Sequence, residues 1–212
     1  MADLERARES LLRYLDREIA DKRVIEAMKR VPREAFVSPE QRGVAYDDRP
    51  LGIGFGQTIS QPFIVALMVQ ALKLDGHEQV LELGTGSGYE TAILAELAKK
   101  VVTVECIPEL AESARRILDD LGYSNVETHV AGKTLGWPEG APYDAIIVSA
   151  GAPNVAPVLL DQLAWNGRLV IPVGSRWQQD LLKVTRMKKG NSIENLGGCY
   201  FVPLIGEGAW EK

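Results

Sequence analysis

The sequence predicts a doubly wound α/β fold: a mostly parallel sheet, an antiparallel addition at one edge and an N-terminal helical appendage. Three observations predict it. From Gln79 onward short apolar runs alternate with amphipathic stretches, as strands joined by crossover helices do. An apolar run ends in the alternating glycines Gly84, Gly86 and Gly88, just before a helical pattern. Two final strand-like runs have no helix pattern between them, only Lys188, Lys189, Gly190 and Asn191, which suits a hairpin at a sheet edge.

The appendage, residues 1–42, comes first. Leu4, Leu11, Leu12, Leu15 and Ile19 share one helical face with charges between them. Val24, Ile25, Met28 and Val31 repeat the pattern until Pro32 stops it. Residues 43–62 change character: Gly43, Gly52, Gly54 and Gly56 lie among Pro50, Pro62 and polar residues, which predicts a long irregular loop. Long loops in compact domains are often binding loops. Residues 63–212 are the expected core, opening with a helix over 63–74. Strands are expected at 79–83, 101–105, 126–130, 145–148 and 168–173, with helices at 89–97, 109–121 and 155–163. The edge addition is expected at 181–186 and 199–202.

A single domain fits the 212 residues. Hydrophobic residues make up 46% and charged residues 25%, so a disordered chain is excluded. The 24 Lys+Arg against 29 Asp+Glu leave a charge of −5, without the broad basic field that nucleic acid attracts. The two cysteines, Cys106 and Cys199, lie far apart, so neither a disulfide framework nor a metal site is expected. No signal-peptide pattern or membrane-length apolar run is visible, and a cytoplasmic protein is the expectation. His77 and His129 have no acid-plus-nucleophile set around them and read as surface or packing residues. Trp137, Trp165, Trp177 and Trp210 read as packing residues.

Chemistry concentrates at Val80-Leu81-Glu82-Leu83-Gly84-Thr85-Gly86-Ser87-Gly88-Tyr89. Glycines there let the chain turn sharply and let a ligand approach the backbone, at the carboxyl ends of parallel strands where open α/β sheets bind ligands. A dinucleotide fingerprint needs G-x-G-x-x-G, but Tyr89 holds the third glycine's place. A phosphate-binding loop would end in Gly-Lys-Ser/Thr, which is absent. The spacing favours a cofactor without phosphate. Glu105 ends the next strand 21 residues after Gly84, where an acid is placed to accept from ribose hydroxyls.

These features resemble class I S-adenosyl-L-methionine-dependent methyltransferases. Within that class, Gly56-Gln57-Thr58-Ile59-Ser60-Gln61-Pro62 resembles the protein-L-isoaspartate O-methyltransferase family, and generic methyltransferases lack this segment. Val31–Val37, Asp144–Val148, Arg168–Gly174 and Phe201–Leu204 are similar as well, in order along nearly the whole chain. The resemblance implies methylation of the misplaced carboxylate of L-isoaspartyl residues, and often D-aspartyl residues, in damaged proteins and peptides, with S-adenosyl-L-methionine as donor. It implies Ser60 as the catalytic residue. For the cofactor it implies Gln57, Thr58 and Ile59 of the loop, and Glu82, Gly84, Gly86, Ser87 and Gly88 at the turn. It also implies Glu105 with Cys106, and Ala131 with Gly132. Two positions depart from the family: Gly132 stands where an acid commonly contacts the adenine amino group, and Cys106 stands where an arginine is frequent. A carboxyl methyltransferase for another substrate and a non-catalytic cofactor-binding protein remain as alternatives. A helix N-cap is the plain structural role open to Ser60. Partners are expected to be isoaspartyl proteins and peptides, not nucleic acid or membrane. The sequence does not fix the oligomeric state; a monomer is the expectation.

Overall fold

The computed structural model describes residues 2–211. Helices α1 (Ala2–Glu18) and α2 (Lys22–Arg30) form the appendage. Asp21 caps α2 by accepting from the Arg23 N–H at 3.0 Å. Leu11, Leu15, Ile19, Val24, Ile25 and Met28 are buried, and they belong to the same apolar cluster as Val80 and Ile147 of the sheet. The apolar stripes that the sequence displays thus turn these helices towards the core on one side of the sheet.

The 43–62 segment is not wholly irregular. Strands β1 (Leu51–Gly54) and β2 (Gln57–Ile59) form a small antiparallel hairpin. Its tip uses positive φ at Gly54, Phe55 and Gly56. The sequence hides this hairpin because its strands are only 4 and 3 residues long and rich in glycine. Helix α3 (Pro62–Leu72) follows, and Lys73 in the left-handed region ends it.

The main sheet contains β3 (Gln79–Leu83), β4 (Lys100–Glu105), β5 (Val126–Val130), β6 (Tyr143–Val148), β7 (Leu163–Gly174), β8 (Gln179–Thr185) and β9 (Ser192–Cys199). Their spatial order is β5-β4-β3-β6-β7-β8-β9. The first five are mutually parallel, and β8 and β9 are antiparallel additions. Helices α4 (Tyr89–Ala95), α5 (Pro108–Asp120) and α6 (Pro157–Asp161) lie in the crossovers. The chain moves outward from β3 to β4 and β5, then returns to β6 on the other side of β3. That reversal puts a topological switch point at the end of β3, where the glycine turn lies.

Two expected elements differ. Helix 155–163 shrinks to α6, because Leu163 leaves the helix to pair beside Tyr143 as the start of β7. The last strand is Ser192–Cys199, not 199–202. Most of β9 is exposed and it ends in Gly197, Gly198 and Cys199, so it lacks the buried alternation by which strands are recognised. Trp177 is 80% exposed and not a packing residue, whereas Trp137 stacks on His129 with ring centres 3.9 Å apart. No helix among the described residues is long and apolar enough to cross a membrane.

Candidate active site

A cavity opens over the carboxyl ends of β3, β4 and β6. The glycine turn forms its floor. Gly84 (φ +95°), Gly86 (φ +53°) and Gly88 (φ +89°) all adopt left-handed backbone that other residues rarely accept. The turn is tied down on both sides: the Gly84 N–H donates to the Val104 carbonyl at 2.8 Å, and the Gly86 N–H donates to Glu105 Oε2 at 2.9 Å.

Glu105 is buried, and its Oε1 accepts from the Ile107 N–H at 3.0 Å. Each carboxylate oxygen keeps a further lone pair for a ligand. Glu105 therefore braces the turn as well as lining the cavity, a second role that strand-end position alone does not reveal.

Ser60, Gln57, Thr58 and Ile59 line the same cavity. Their placement depends on Arg33, which is fully buried. Its Nε donates to the Ala45 carbonyl at 2.8 Å and its Nη2 to the Ser60 carbonyl at 2.9 Å. The guanidinium lies 4.8 Å from the centre of the Tyr89 ring, and Tyr89 begins α4 straight after the glycine turn. Ser60 does not cap α3. The helix begins at Pro62, and Asp48 supplies the cap from a distance, accepting from the Phe63 N–H at 2.9 Å and from Gln61 Nε2 at 2.9 Å.

Gly84, Gly86, Ser87, Glu105, Cys106, Ala131 and Gly132 all line the cavity. Two sequence candidates do not. Glu82 is 0% exposed and lies beneath the turn, its Oε2 accepting from the Thr91 hydroxyl at 2.5 Å. Side chains alternate along a strand, and Glu82 points into the core polar network rather than towards the ligand space. Gly88 opens α4, and a Cβ there would stand 3.2 Å from the Ala114 Cβ of α5. It allows the start of α4 to pack closely against α5.

Sequence reasoning missed several wall residues. Val202 to Gly206 cross the cavity, held by Gly151 N–H to the Val202 carbonyl and Leu204 N–H to the Gly151 carbonyl, both 2.8 Å. Gln162 fixes the 131–137 loop by accepting from the Trp137 N–H at 2.8 Å and donating to the Leu135 carbonyl at 2.9 Å. Glu90, in the first turn of α4, also lines the cavity and accepts from the Ser149 hydroxyl at 2.6 Å. Burial pushes its carboxyl up to about 7, against the lowering pull of Ser149. Burial raises Glu82 well above the carboxylate range too, reinforced by the charge of Glu90 and opposed by Thr103 and Thr91. An acid inside an apolar helix was the available signal for Glu90.

The switch-point glycine turn, the acid on the neighbouring strand and the antiparallel edge define a class I methyltransferase. Comparison with known proteins narrows this. The family model for Protein-L-isoaspartate(D-aspartate) O-methyltransferase matches residues 6–209. A Protein-L-isoaspartate O-methyltransferase 1 from Syntrophobacter fumaroxidans is 51% identical over 213 residues, covering 100% of both chains. A Protein-L-isoaspartate O-methyltransferase from Syntrophus aciditrophicus is 53% identical over 215 residues, covering 98% of this chain and 99% of the relative. Among solved structures, a beta-aspartate methyltransferase from Plasmodium falciparum in complex with S-adenosyl-L-homocysteine superposes with a TM-score of 0.79 at 28% identity, covering 91% of this chain and 95% of that one. The chain belongs to the protein-L-isoaspartate (D-aspartate) O-methyltransferase family.

Proposed function

We propose that the cavity holds S-adenosyl-L-methionine beside the side-chain carboxylate of an L-isoaspartyl residue, with Ser60 orienting that carboxylate. The family supplies the reaction, O-methylation of isoaspartyl proteins and peptides as a step in protein repair. The observation that carries the residue-level reading is that Gln57–Ser60 and the glycine turn line one and the same cavity.

The donor set fits the cofactor. Glu105 offers acceptors for ribose hydroxyls, and Glu90 presents a second acid. Among the lining residues Lys133 is the only base, so the cavity carries no cluster of basic side chains. Ala131, Gly132 and Cys106 border the adenosine end, and Gly84, Gly86 and Ser87 allow close approach at the turn. When bound, S-adenosyl-L-methionine supplies an electrophilic methyl group on a sulfonium.

The chain's task is then positional. A carboxylate with an ordinary pKa of about 4 is ionised at neutral pH, so no strong base is needed. The Ser60 hydroxyl can donate to one carboxylate oxygen and leave the other to react. A lysine there would blunt the nucleophile. Arg33 holds the Ser60 main chain in place, and the 43–62 segment shields the reacting groups from water.

The test is methyl transfer from labelled cofactor to matched isoaspartyl and aspartyl peptides. Labelling of the isoaspartyl peptide alone is expected; equal labelling of both, or of neither, overturns the reading. The same reading takes residues 1–42, 43–62 and 63–212 as one domain, monomeric and cytoplasmic, that engages proteins and not nucleic acid or membrane. The charge of −5 supports it, and light scattering checks the monomer.

A further inference from the structure

The two most exposed aromatic rings among the described residues stand at one end of the main sheet. Trp177 is 80% exposed and Tyr200 66%. Trp177 sits in the turn between β7 and β8, and Tyr200 directly follows β9. Strand β7 runs parallel to β6, and β8 and β9 are each antiparallel to the strand before them. The turn and the end of β9 therefore share the end of the sheet at which the cavity opens. Gln179 ties their backbones together. Its buried side chain donates from Nε2 to the Ser175 carbonyl at 2.6 Å, and its Oε1 accepts from the Phe201 N–H at 2.8 Å. The Ser175 hydroxyl accepts from the Trp177 N–H at 3.2 Å. The rings thus stand in solvent on a bonded platform, and exposed Trp and Tyr are the residues that most often anchor a partner.

The platform adjoins the Ser60 end of the cavity. Arg168, opposite Ala145 near the start of β6, donates from Nε to the Leu72 carbonyl at 2.7 Å. Helix α3 therefore ends near the amino ends of the parallel strands and begins, beside Ser60, at their carboxyl ends. It packs on β6 and β7. The glycine turn and Glu105 follow β3 and β4 instead. A polypeptide with its isoaspartyl carboxylate at Ser60 has the cofactor on one side and the ends of β7, β8 and β9 on the other. Phe201 shares an apolar cluster with Val65, which lines the cavity with Ser60. Tyr200 comes just before Phe201 and Val202, and Val202 is part of the cavity wall, so the ring's backbone lies about 7 Å of extended chain from that wall.

Resting on the isoaspartyl reading above, we propose that Trp177 and Tyr200 form a subsite for the substrate chain outside the methyl-transfer cavity. The subsite takes an apolar or aromatic side chain on one side of the isoaspartyl residue. An extended chain advances about 3.3 Å per residue, which puts that side chain roughly two to four positions away. Rigid rings supply apolar contact area at little cost in side-chain freedom. The neighbouring cation, Arg176, is engaged elsewhere: it lies 5.1 Å from the centre of the Trp210 ring and donates to the Glu211 carbonyl at 3.0 Å. The subsite therefore selects on apolar surface and not on charge.

Initial rates on the full chain with S-adenosyl-L-methionine test this. The substrates are isoaspartyl peptides whose flanking residues are all serine, and the same peptides with one phenylalanine introduced at a single flanking position. At the best position phenylalanine is expected to lower KM about tenfold with kcat nearly unchanged, because it adds binding remote from the reacting groups. In Trp177→Ser and in Tyr200→Ser the preference for the phenylalanine peptide is expected to shrink to about threefold or less, and in the double variant to vanish. Trp165→Ser removes an exposed ring at the other end of β7 and is expected to keep the full preference. The single variants serve if the double variant fails to fold. No preference in the parent at any position, or an undiminished preference in the variants, overturns the proposal. A parent dimer in light scattering that the double variant dissolves also overturns it, by assigning the rings to a second copy of the chain. If the parent methylates no isoaspartyl peptide, the reaction reading fails and this proposal with it; if it methylates the serine peptide and shows no preference, only the subsite falls.

Discussion

The buried guanidinium of Arg33 donates to the main-chain oxygen of Ser60 at 2.9 Å, across 27 residues of sequence. The same group holds the Ala45 carbonyl at 2.8 Å and lies against the Tyr89 ring. One side chain therefore joins the start of the 43–62 segment, its end and the first residue after the glycine turn. The two walls of the cavity are set relative to each other by this cation.

Replacing Arg33 with methionine keeps most of the volume and removes the donors. The Ala45 and Ser60 carbonyls are then left buried without a partner, at roughly 1–3 kcal/mol each. Urea unfolding of Arg33→Met is expected to show a loss of about 2–4 kcal/mol, together with a raised KM for isoaspartyl peptide. Arg33→Lys keeps the charge but cannot fork to both carbonyls, so it recovers only part of the loss. An Arg33→Met protein as stable as the parent would contradict the bracing role.

Ser60 and Asp48 separate catalysis from capping. Because Asp48 caps α3, Ser60→Ala is expected to leave the melting temperature nearly unchanged while turnover of isoaspartyl peptide falls by tenfold or more. Asp48→Ala is expected to cost about 1 kcal/mol of stability. Initial rates and melting curves on the same preparations check both. A full rate for Ser60→Ala at saturating peptide removes Ser60 from the catalytic role.

How far these elements were legible depends on burial. Strands β3, β4 and β6 lie inside the sheet with a neighbour on each side, and they read as largely apolar runs that announce themselves. Strand β9 is an exposed edge with only Ile193 and Leu196 as large apolar residues, so its pattern carries little signal. At the site, spacing located the glycine turn and Glu105 but not the direction each residue faces. The family resemblance groups Glu82 and Gly88 with the cofactor site, yet one points into the core and the other against α5. The sequence does not mark Glu90 as buried, because an acid in a helix's first turn ordinarily serves the helix dipole in solvent. Only the packing of α4 on both sides shows that this one is buried.

Gly132 offers a test of the adenine end. A Cβ at this position would meet nothing within 4 Å, and the residue is exposed at the cavity rim. Gly132→Asp therefore fits without strain and restores the acid common in the family. Calorimetry is expected to show tighter cofactor binding by about 1 kcal/mol, roughly fivefold, with unchanged preference for isoaspartyl over aspartyl peptide. A switch in peptide preference would place this loop at the substrate and not at the adenine.

The raised carboxyl of Glu90 gives the ligand-free protein a stability profile of definite sign. The unfolded chain releases this proton near the ordinary 4.5, whereas the folded chain holds it to about 7. Between those values the folded state binds more protons, so stability falls as pH rises. The contribution is fully present below about pH 4.5 and is lost as pH climbs through about 7, a change on the order of 3 kcal/mol. Glu82 is raised as well and acts in the same direction. Asp21, Glu127 and Glu194 are lowered by their basic partners, so their stabilisation is lost only as pH falls below the ordinary carboxylate range and does not mask this window. Glu90→Gln removes the titration. Its unfolding free energy, measured in urea from pH 5 to pH 8.5, is expected to decline less steeply than the parent's, with the variant the more stable at the alkaline end. Parallel stability curves for parent and variant would show that Glu90 ionises in the folded protein as it does in the unfolded chain.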